Sequence, residues 1–445
     1  MRRVAVVGSG PAGIYAVEAL TRQGEIAVDV LDRLPCPFGL VRYGVAPDHP
    51  KIRSISAALG AVLEHQGVRF IGNVDIGSDV TLAELHEHYD AILIASGAAV
   101  DRPLGIPGED LPGSVSATEF VAWYNGHPDA PVDAFTLAAR SVAVIGMGNV
   151  AVDVVRLLAK TAVELRSTDL PDHVLRVLER SQASDIYMIG RRGPAQAKFT
   201  TKELRELGEL ANADVLVAES ELALDPASEQ LLATKPAVRR NVEVLREWAS
   251  RPPSGRPRRV HLRFWQRPVE VLGDEHVTGV RLEETRLDEQ GNAVGTGRTS
   301  TINAQMVLRS VGYRGRAISG VPFDERNGVV PNSAGRVLRD GEPVTGLYVA
   351  GWIKRGPTGV IGTNKHDARE TVASMLADGP ALPPAPIRDP EAIMRLLSER
   401  GVSPVSWEGW RAIELAEGQL GEQRGSARAR ITERDALLRA ALGSS

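Results

Sequence analysis

Short runs of apolar residues followed by glycine-rich turns recur along the chain. The first run is Val4–Val7, which leads into the glycine-rich stretch Gly8–Gly13 and then into a helical apolar pattern over Ile14–Arg22. A continuous apolar run of this length is typical of a strand that is buried on both faces of a parallel sheet. With a second strand over Ala27–Leu31, the pattern predicts a βαβ unit at the start of the chain.

A second βαβ unit is predicted in the middle of the chain. An apolar strand over Ser141–Ile145 runs into the glycine-rich stretch Gly146–Ala151, and a helix is expected over Val150–Lys160. The companion strand is expected over Asp185–Ile189, after a partly helical insertion of about residues 161–180. The chain therefore contains two copies of one supersecondary unit.

The pattern of the first unit resumes near residue 315. Before that point, Val260–Gly273 and Gly279–Arg286 alternate apolar and polar residues, which predicts antiparallel strands. After it, an apolar strand is expected over Gly346–Gly351 and a long helix over about Ile361–Leu376. The proline-rich stretch Pro380–Pro386 then leads to a mostly helical C-terminal segment.

These patterns predict an α/β protein with two Rossmann-like dinucleotide-binding domains, one inserted into the other. We expect residues 1–102 and 315–445 to form the outer domain, with the C-terminal helical segment, and residues 103–314 to form the inserted domain. A chain of 445 residues is long enough for two or three cores, because a domain usually has about 150 residues.

The first glycine cluster has the surroundings that a dinucleotide fingerprint needs. Gly8 permits a tight turn, Gly10 lets the backbone approach a pyrophosphate, and Gly13 allows close packing of helix and strand. Asp32 ends the next strand, nineteen residues after Gly13, where a carboxylate binds ribose hydroxyls. A tight strand–helix turn without a ligand is the alternative.

The second cluster, Gly146-x-Gly148-x-x-Ala151, is followed by arginines instead of an acid. Arg191 and Arg192 end the companion strand, and guanidinium groups bind a 2′-phosphate that an acid would repel. This arrangement favours NADPH over NADH, with a solvated arginine pair as the alternative. Two fingerprints in one chain indicate two dinucleotides, of which FAD and NADP(H) are the simplest pair for hydride transfer.

Composition limits the chemistry that the chain can perform alone. Its one cysteine, Cys36, cannot form an internal disulfide or a cysteine-held iron–sulfur cluster, and we expect it to be a packing residue. A net charge of −4 gives no general attraction to nucleic acid. The sequence also lacks an apolar run of about 18 residues, the length that a membrane-spanning helix needs. The N-terminus enters a strand at Val4, so we expect no secretory signal and a cytoplasmic protein.

Four motifs then carry a specific resemblance. Pro37–Pro50 (PFGLVRYGVAPDHP), Gly190–Pro194, Val349–Asn364 and Trp407–Trp410 are similar to signatures of the adrenodoxin reductase family. These are NADPH–ferredoxin reductases with a glutathione-reductase-like plan, and the actinobacterial ferredoxin–NADP reductases resemble this chain most. The resemblance implies that residues 1–102 and 315–445 bind FAD and that residues 103–314 bind NADP.

The resemblance also implies individual contacts. The implied FAD contacts, together with the fingerprint glycines Gly8, Gly10 and Gly13, are Ala12, Asp32, Leu40, Val74, Trp352, Gly359, Val360 and Ile361. The implied NADP contacts, together with Gly146 and Gly148, are Asn149, Val150, Ala151, Arg191, Arg192, Glu203 and Gly359. The family usually has Glu where this chain has Asp32, which keeps the carboxylate but shortens its reach. No metal site is expected.

Hydride transfer needs no side-chain acid, but proton release from the flavin could use one. His49 and Glu206 match family positions where a proton path is suspected, and they are the candidate catalytic residues. The alternatives are a turn cap for His49 and a solvated helix residue for Glu206. Backbone N–H groups of Gly359, Val360 and Ile361 are expected to face the flavin at the start of the following helix.

The resemblance implies a ferredoxin-type iron–sulfur protein as the electron acceptor. We expect an acidic partner that binds transiently to a monomeric enzyme, because residues 239–267 contain nine arginines against two acids. An ordinary basic hairpin is the alternative, and of the family's docking arginines Arg205 is present while Glu209 replaces a later one. Other functions considered are a disulfide reductase, the electron-input subunit of a synthase, and a flavoprotein without enzymatic activity.

Overall fold

The computed structural model describes residues 2–24 and 26–443. By their contacts these residues form two compact units. The first unit comprises the residues up to Val100, residues 125–129 and the residues from Gly312 onward, and the second comprises residues 101–124 and 130–311. The predicted limits of the FAD and NADP domains stay a prediction, because the units are defined by contacts and not by the cofactor that each binds.

Strands and helices alternate along most of the chain. The strands are, in chain order, β1 Arg2–Val7, β2 Ile26–Leu31, β3 Val68–Ile71, β4 Ala91–Ile94, β5 Val100–Asp101, β6 Ser114–Ser116, β7 Ser141–Ile145, β8 Asp185–Ile189, β9 Ala213–Val217, β10 Arg258–Arg263, β11 Gln266–Leu272, β12 Gly279–Leu287, β13 Ala293–Asn303, β14 Met306–Arg309, β15 Tyr313–Arg314, β16 Asn332–Ser333, β17 Arg336–Arg339 and β18 Glu342–Val349. The α-helices are α1 Pro11–Thr21, α2 Leu40–Tyr43, α3 Pro50–Arg53, α4 Ile55–Leu63, α5 Leu82–His88, α6 Ala117–Tyr124, α7 Asn149–Ala159, α8 Ala162–Leu165, α9 Asp172–Glu179, α10 Thr201–Gly208, α11 Pro226–Thr234, α12 Pro236–Ala249, α13 Trp352–Arg355, α14 Thr363–Asp378, α15 Ala392–Glu399, α16 Trp407–Gln423 and α17 Arg434–Leu442.

A seven-stranded sheet forms the centre of the first unit. Its order is β16-β17-β18-β4-β1-β2-β3, and the five strands from β18 to β3 run parallel. β1 lies in the middle, with Val4 opposite Val28 on one side and Ala91 on the other. All four residues of β4 are buried, which explains its continuous apolar run. Because β1 and β2 are parallel, their carboxyl ends lie at the same edge of the sheet, which is where open parallel sheets bind ligands.

The second unit repeats this plan with a six-stranded parallel sheet of order β6-β14-β7-β8-β10-β9. A separate antiparallel sheet consists of β11, β12 and β13. The antiparallel prediction for Val260–Gly273 was wrong in its first part, because β10 pairs in parallel with β8 and β9. The misleading alternation arises because Val260 and Leu262 face the core, whereas His261 stacks on Tyr187 at the other face.

The C-terminal helices complete the core of the first unit. Trp410 and Ile413 of α16 and Leu437 of α17 are buried in one cluster with Val41 and Cys36. Cys36 is 1% exposed, and burial raises the pKa of its thiol. The expectation of a packing role for this cysteine is confirmed by its place in the core.

Candidate functional site

The turn between β1 and α1, residues 8–13, is called the first cradle here, and its three glycines have two different roles. A Cβ on Gly8 would lie 2.5 Å from the carbonyl oxygen of Ala95, and one on Gly13 would lie 1.9 Å from the carbonyl oxygen of Gly8. Packing therefore closes both positions to a side chain. At Gly10 a Cβ would have no neighbouring atom within 4 Å. This open space lies at the N-terminus of α1, where backbone N–H groups favour an anion.

Asp32 follows β2 and binds the same turn. Its carboxylate accepts hydrogen bonds from Ser9 N–H at 2.8 Å, from the Ser9 hydroxyl, and from Leu34 N–H at 2.9 Å. Burial raises the pKa of Asp32 above its ordinary value, and these hydrogen bonds oppose that change. Asp32 thus lies beside the cradle and also holds the conformation of its turn.

The segment that leads into α2 closes one side of the first cradle. Phe38 has a φ of +82° and donates its N–H to the carbonyl oxygen of Ser9 at 3.0 Å. Gly39 has a φ of +48°, and a Cβ there would lie 3.1 Å from Gly10 Cα. The two chain segments are therefore in backbone contact at the open glycine.

Three further residues of the predicted FAD site surround this turn. Ala12 is buried inside α1, whereas Leu40, the first residue of α2, is exposed. Val74 is buried and donates its N–H to the carbonyl oxygen of Asp32 at 2.9 Å. One exposed apolar side chain and two buried ones therefore lie around the cradle.

The loop after β18 packs against the first cradle. Gly351 has a φ of +82°, and a Cβ there would lie 2.5 Å from the Cβ of Ala12. The Trp352 indole N–H and the Arg355 guanidinium both donate to the carbonyl oxygen of Thr358 at 3.2 Å. These two hydrogen bonds shape the loop that leads to α14.

Gly359 and the residues after it form the N-terminal approach to α14. Gly359 has a φ of +84°, and a Cβ there would lie 2.7 Å from Thr363 Oγ1. Val360 N–H donates to that same oxygen at 3.1 Å. The N–H groups of Ile361 and Gly362 have no acceptor within the described part of the chain. The helix begins at Thr363 rather than Ile361. Of the three predicted donors, Val360 N–H is already paired within the loop, whereas the N–H of Gly359, like that of Ile361, has no acceptor among the described residues.

The turn between β7 and α7 repeats the pattern of the first cradle. Gly146 has a φ of +149° and donates its N–H to the carbonyl oxygen of Ile189 at 2.9 Å. A Cβ on Gly146 would lie 2.2 Å from the carbonyl oxygen of Ser310, whereas one on Gly148 would have no atom within 4 Å. Each cradle thus combines a glycine that packing requires with a glycine that leaves space open at a helix N-terminus.

Other residues of the predicted NADP site lie around α7. Asn149 Oδ1 accepts the N–H of Thr200 at 2.9 Å, which ties the start of α7 to the start of α10. Glu203 is buried, and its carboxylate accepts the hydroxyl of Thr200. Val150 is half-buried and Ala151 is fully buried. Side chains of two helices therefore meet beside the second cradle.

Arg191 and Arg192 form an uncompensated cationic pair after β8. Arg191 is exposed and Arg192 is half-buried, and neither side chain has an acidic partner in the described ranges 2–24 and 26–443. The carbonyl oxygen of Arg191 accepts the Thr285 hydroxyl at 2.8 Å. Burial, together with the charge of Arg191, lowers the pKa of Arg192. Two adjacent cations without a counter-charge form a binding place for a multiply charged anion.

The two candidate proton-transfer residues differ in their surroundings. His49 is buried in the first unit, and its carbonyl oxygen accepts the N–H of Arg53 at 3.1 Å at the start of α3. Glu206, in the second unit, has Oε2 at 3.4 Å from Arg156 Nε and Oε1 at 3.8 Å from Lys202 Nζ. The Glu206 carboxylate is therefore paired with cations and is not a freely solvated helix residue.

The arginine-rich segment 239–267 carries less free positive charge than its sequence suggests. Its ion pairs with acids are Arg239–Glu243, Arg251–Glu247, Arg256–Asp214, Arg259–Asp185, Arg263–Glu221 and Arg267–Glu283. Arg258 donates to the carbonyl oxygens of Leu158 and Lys160. Arg240 and Arg246, both exposed on α12, have no acidic partner among the residues that the structure describes.

A buried charge cluster that no sequence motif indicated supports the loop after β18. The Asp367 carboxylate accepts the N–H of Gly351 and lies 3.1 Å from Lys354 Nζ and 3.3 Å from Arg355 Nη1. Asp367 is 16 residues from Gly351 along the chain and reaches it only because α14 returns along β18. The sequence therefore contains no local signal for this contact.

Comparisons with known proteins agree with this geometry. Residues 2–189 match the family model described as pyridine nucleotide-disulphide oxidoreductase. The chain is 41% identical to NADPH:adrenodoxin oxidoreductase of Arabidopsis thaliana, covering 98% of this chain and 95% of that one. It is 42% identical to NADPH-ferredoxin reductase FprA of Mycobacterium tuberculosis, covering 99% of both. The solved structure of that FprA in complex with NADPH superposes with a TM-score of 0.94 at 41% identity, over 99% of this chain and 100% of that chain.

None of the helices in the described residues is both long enough and apolar enough to cross a membrane. Within the same residues, no group of three or more His, Cys, Asp or Glu side chains could hold a metal ion.

Proposed function

Since this chain belongs to the adrenodoxin reductase family of NADPH–ferredoxin reductases, we propose that it takes a hydride from NADPH onto a bound FAD and passes single electrons to a ferredoxin-type iron–sulfur protein. The chain is thus a ferredoxin–NADP(+) reductase. The observation that supports this function is a pair of similar cradles whose neighbouring charged residues have opposite signs. The first lies beside the carboxylate of Asp32, and the second belongs to the unit that carries the cations Arg191 and Arg192.

The residues of the first cradle fit FAD. The space at Gly10 has room for a pyrophosphate at the N-terminus of α1, and Asp32 has acceptor capacity for a ribose hydroxyl. We assign contacts along the cofactor to Leu40, Val74 and Trp352. When bound, FAD accepts an electron pair as a hydride and releases the electrons one at a time.

The start of α14 is assigned to the flavin ring. The N–H groups of Ile361 and Gly362, together with the dipole of the 16-residue helix α14, favour negative charge in front of them. With FAD bound there, these donors would favour the negative charge that the cofactor carries when it is reduced. Gly359 is assigned to both cofactors, and its positive φ and the close approach of Thr363 exclude a side chain at this position.

The residues of the second cradle fit NADPH. Gly148 leaves room for the pyrophosphate, and Asn149, Val150 and Ala151 begin the helix that faces it. Arg191 and Arg192 bind the 2′-phosphate through charge-assisted hydrogen bonds, which NADH cannot form. Glu203, held by the hydroxyl of Thr200, completes the predicted contacts.

With a single cysteine, the chain has no pair of thiols that could accept the electrons, so we propose that they pass to a separate protein. The single cysteine, Cys36, is 1% exposed, so the disulfide chemistry named in the matched family model is not available to this sequence. We propose an acidic ferredoxin that binds transiently to a monomeric, cytoplasmic enzyme. The exposed cations Arg205, Arg240 and Arg246 support an acidic partner, although most arginines of segment 239–267 are already paired.

His49 and Glu206 are proposed to move the proton that leaves the flavin as single electrons depart. The imidazole of a histidine can both accept and donate a proton, which suits a proton carrier. The Glu206 carboxylate is held in place by Arg156 and Lys202. Both assignments rest on the family positions of these residues.

The direct test is reduction of cytochrome c by NADPH with and without candidate ferredoxins. We expect yellow protein with bound FAD, oxidation of NADPH that is much faster than oxidation of NADH, and cytochrome c reduction that depends on added ferredoxin. Raising the salt concentration should slow the ferredoxin-dependent rate, because screening weakens charged encounter. A yellow protein that fails to oxidise NADPH with any acceptor would show that the enzymatic assignment is wrong.

A further inference from the structure

The C-terminal helix α16 makes a buried ion pair with the segment that closes the FAD cradle. Glu417 of α16 accepts two hydrogen bonds from the Arg42 guanidinium, at 2.6 and 3.1 Å. The two side chains are 0% and 2% exposed, respectively. A bidentate pair with this geometry is strong and fixes both groups in direction as well as distance.

Further groups hold the carboxylate of Glu417 in place. Ile431 N–H donates to it at 3.0 Å, and the guanidiniums of Arg428 and Arg430 lie 3.8 and 3.9 Å away. The Arg42 guanidinium also lies over the ring of Trp410, at 5.0 Å from its centroid. Glu417 is therefore the centre of a buried network that joins the C-terminal helices to α2.

The network lies one helical turn from the glycines of the cradle. The N–H of Arg42 donates to the carbonyl oxygen of Gly39 at 3.0 Å. A Cβ on Gly39 would lie 3.1 Å from Gly10 Cα, and Phe38 N–H donates to Ser9. A displacement of Arg42 therefore moves the backbone that borders the open space at Gly10.

Aromatic packing adds a second contact between α16 and the same segment. The ring of Phe38 meets Trp410 edge-on with centroids 5.8 Å apart and meets Trp407 at 6.5 Å. Phe38 is held at a positive φ of +82°, a conformation that a bulky residue adopts only when its surroundings require it. The helix therefore constrains both the ring of Phe38 and, through Arg42, the glycine that follows it.

We propose that Glu417 is a positioning residue for FAD. By holding Arg42 and, through it, Gly39, Glu417 keeps the cradle in the shape that retains the cofactor. The C-terminal helices are on this view part of the FAD site, although Glu417 is 375 positions from Arg42 in sequence. The inference rests on the proposed function only in taking FAD as the ligand of the first cradle.

Helix α17 makes a separate set of contacts near Asp32, the residue assigned to the ribose of FAD. Arg434 donates to the carbonyl oxygen of Arg33 at 3.1 Å and to Asn73 Oδ1 at 2.8 Å, and it pairs with Asp129 at 3.1 Å. These contacts hold the backbone of Arg33, which is the residue next to Asp32. Because Arg434 is about a third exposed, its loss should release FAD less than the loss of Glu417 does.

The experiment measures the rate constant of FAD release from holoprotein by the rise in flavin fluorescence. Glu417→Gln keeps the size of the side chain but leaves Arg42 buried without a counter-charge. We expect release to accelerate about tenfold or more at a temperature well below the unfolding midpoint. Glu422→Gln, an exposed residue near the end of the same helix with no ion pair among the described residues, is the matched control and should leave the rate unchanged.

A merely structural role predicts a different result. In that case Glu417→Gln would lower the unfolding midpoint of apoprotein and holoprotein by the same amount and leave FAD release unchanged, which would overturn the proposal. If Glu417→Gln does not fold, Glu417→Asp keeps the buried negative charge but shortens its reach to Arg42, and unchanged release in that variant would overturn the proposal as well. Wild-type protein that binds no FAD would contradict the proposed function instead.

Discussion

Arg192 offers the sharpest test of how the second unit selects its nucleotide. Its guanidinium is half-buried beside Arg191, and it has no acidic partner within residues 2–24 and 26–443. The protein without a ligand holds two like charges next to each other, and this repulsion, together with burial, lowers the pKa of Arg192. A 2′-phosphate relieves that repulsion and accepts hydrogen bonds from both groups. We therefore predict that Arg192→Ala weakens the binding of NADPH specifically.

The magnitude follows from the charge-assisted hydrogen bonds that are lost. A hydrogen bond to a charged group contributes about 1.5–3 kcal/mol, which corresponds to about ten- to hundredfold in an equilibrium constant. Arg191→Ala should fall at the low end of this range, because Arg191 is exposed and solvent screens its charge. Arg192→Ala should lie higher in the range. Replacing both should cost less than the sum, since the two groups share one phosphate.

The assay is steady-state oxidation of NADPH and of NADH with ferricyanide as the acceptor. For Arg192→Ala we expect KM for NADPH to rise by the stated factor, kcat to change little, and the kinetics with NADH to stay as in wild type, because the contact is made equally before and during hydride transfer. Arg240→Ala removes the same charge from exposed α12 of the same unit and serves as the control. Unchanged preference for NADPH over NADH in Arg192→Ala would refute the assignment of this pair to the 2′-phosphate.

Three further predictions concern the first unit. Gly10→Ala places a Cβ in space that has no protein atom within 4 Å, so apoprotein stability should be unaffected while FAD affinity, measured by titration, falls by about 5- to 150-fold. Asp367→Asn weakens the acceptor of Gly351 N–H and the pairs with Lys354, so the free energy of unfolding in urea should fall by about 1–3 kcal/mol. His49→Ala should flatten the pH dependence of turnover if His49 carries a proton, and an unchanged profile would remove it from the mechanism.

Local constraints explain why the two cradles could be read from the sequence. At Gly8 and Gly146 the positive φ arises within the strand–turn–helix unit itself, and it is this local requirement that the sequence shows. The carbonyl oxygens within 2.5 Å of a Cβ there come from Ala95 after β4 and Ser310 after β14, so the fold supplies that second requirement. The acid after β2 and the arginines after β8 follow from the same register. The orientation of β10 could not be read in this way, because an alternating pattern is common to any strand with two unlike faces.

The amino-acid sequence by itself determined the two dinucleotide cradles, the family, and the absence of a thiol pair, because each depends on residue types at short, fixed spacings. The tertiary structure alone decided which charges are free. It paired six arginines of segment 239–267 with acids, and two of those acids lie in the same segment. It left Arg191 and Arg192 without an acidic partner among the described residues, and it placed Glu417 against Arg42. Pairing depends on which elements the chain brings together, and distances across a fold are not written in the spacing of residues along it.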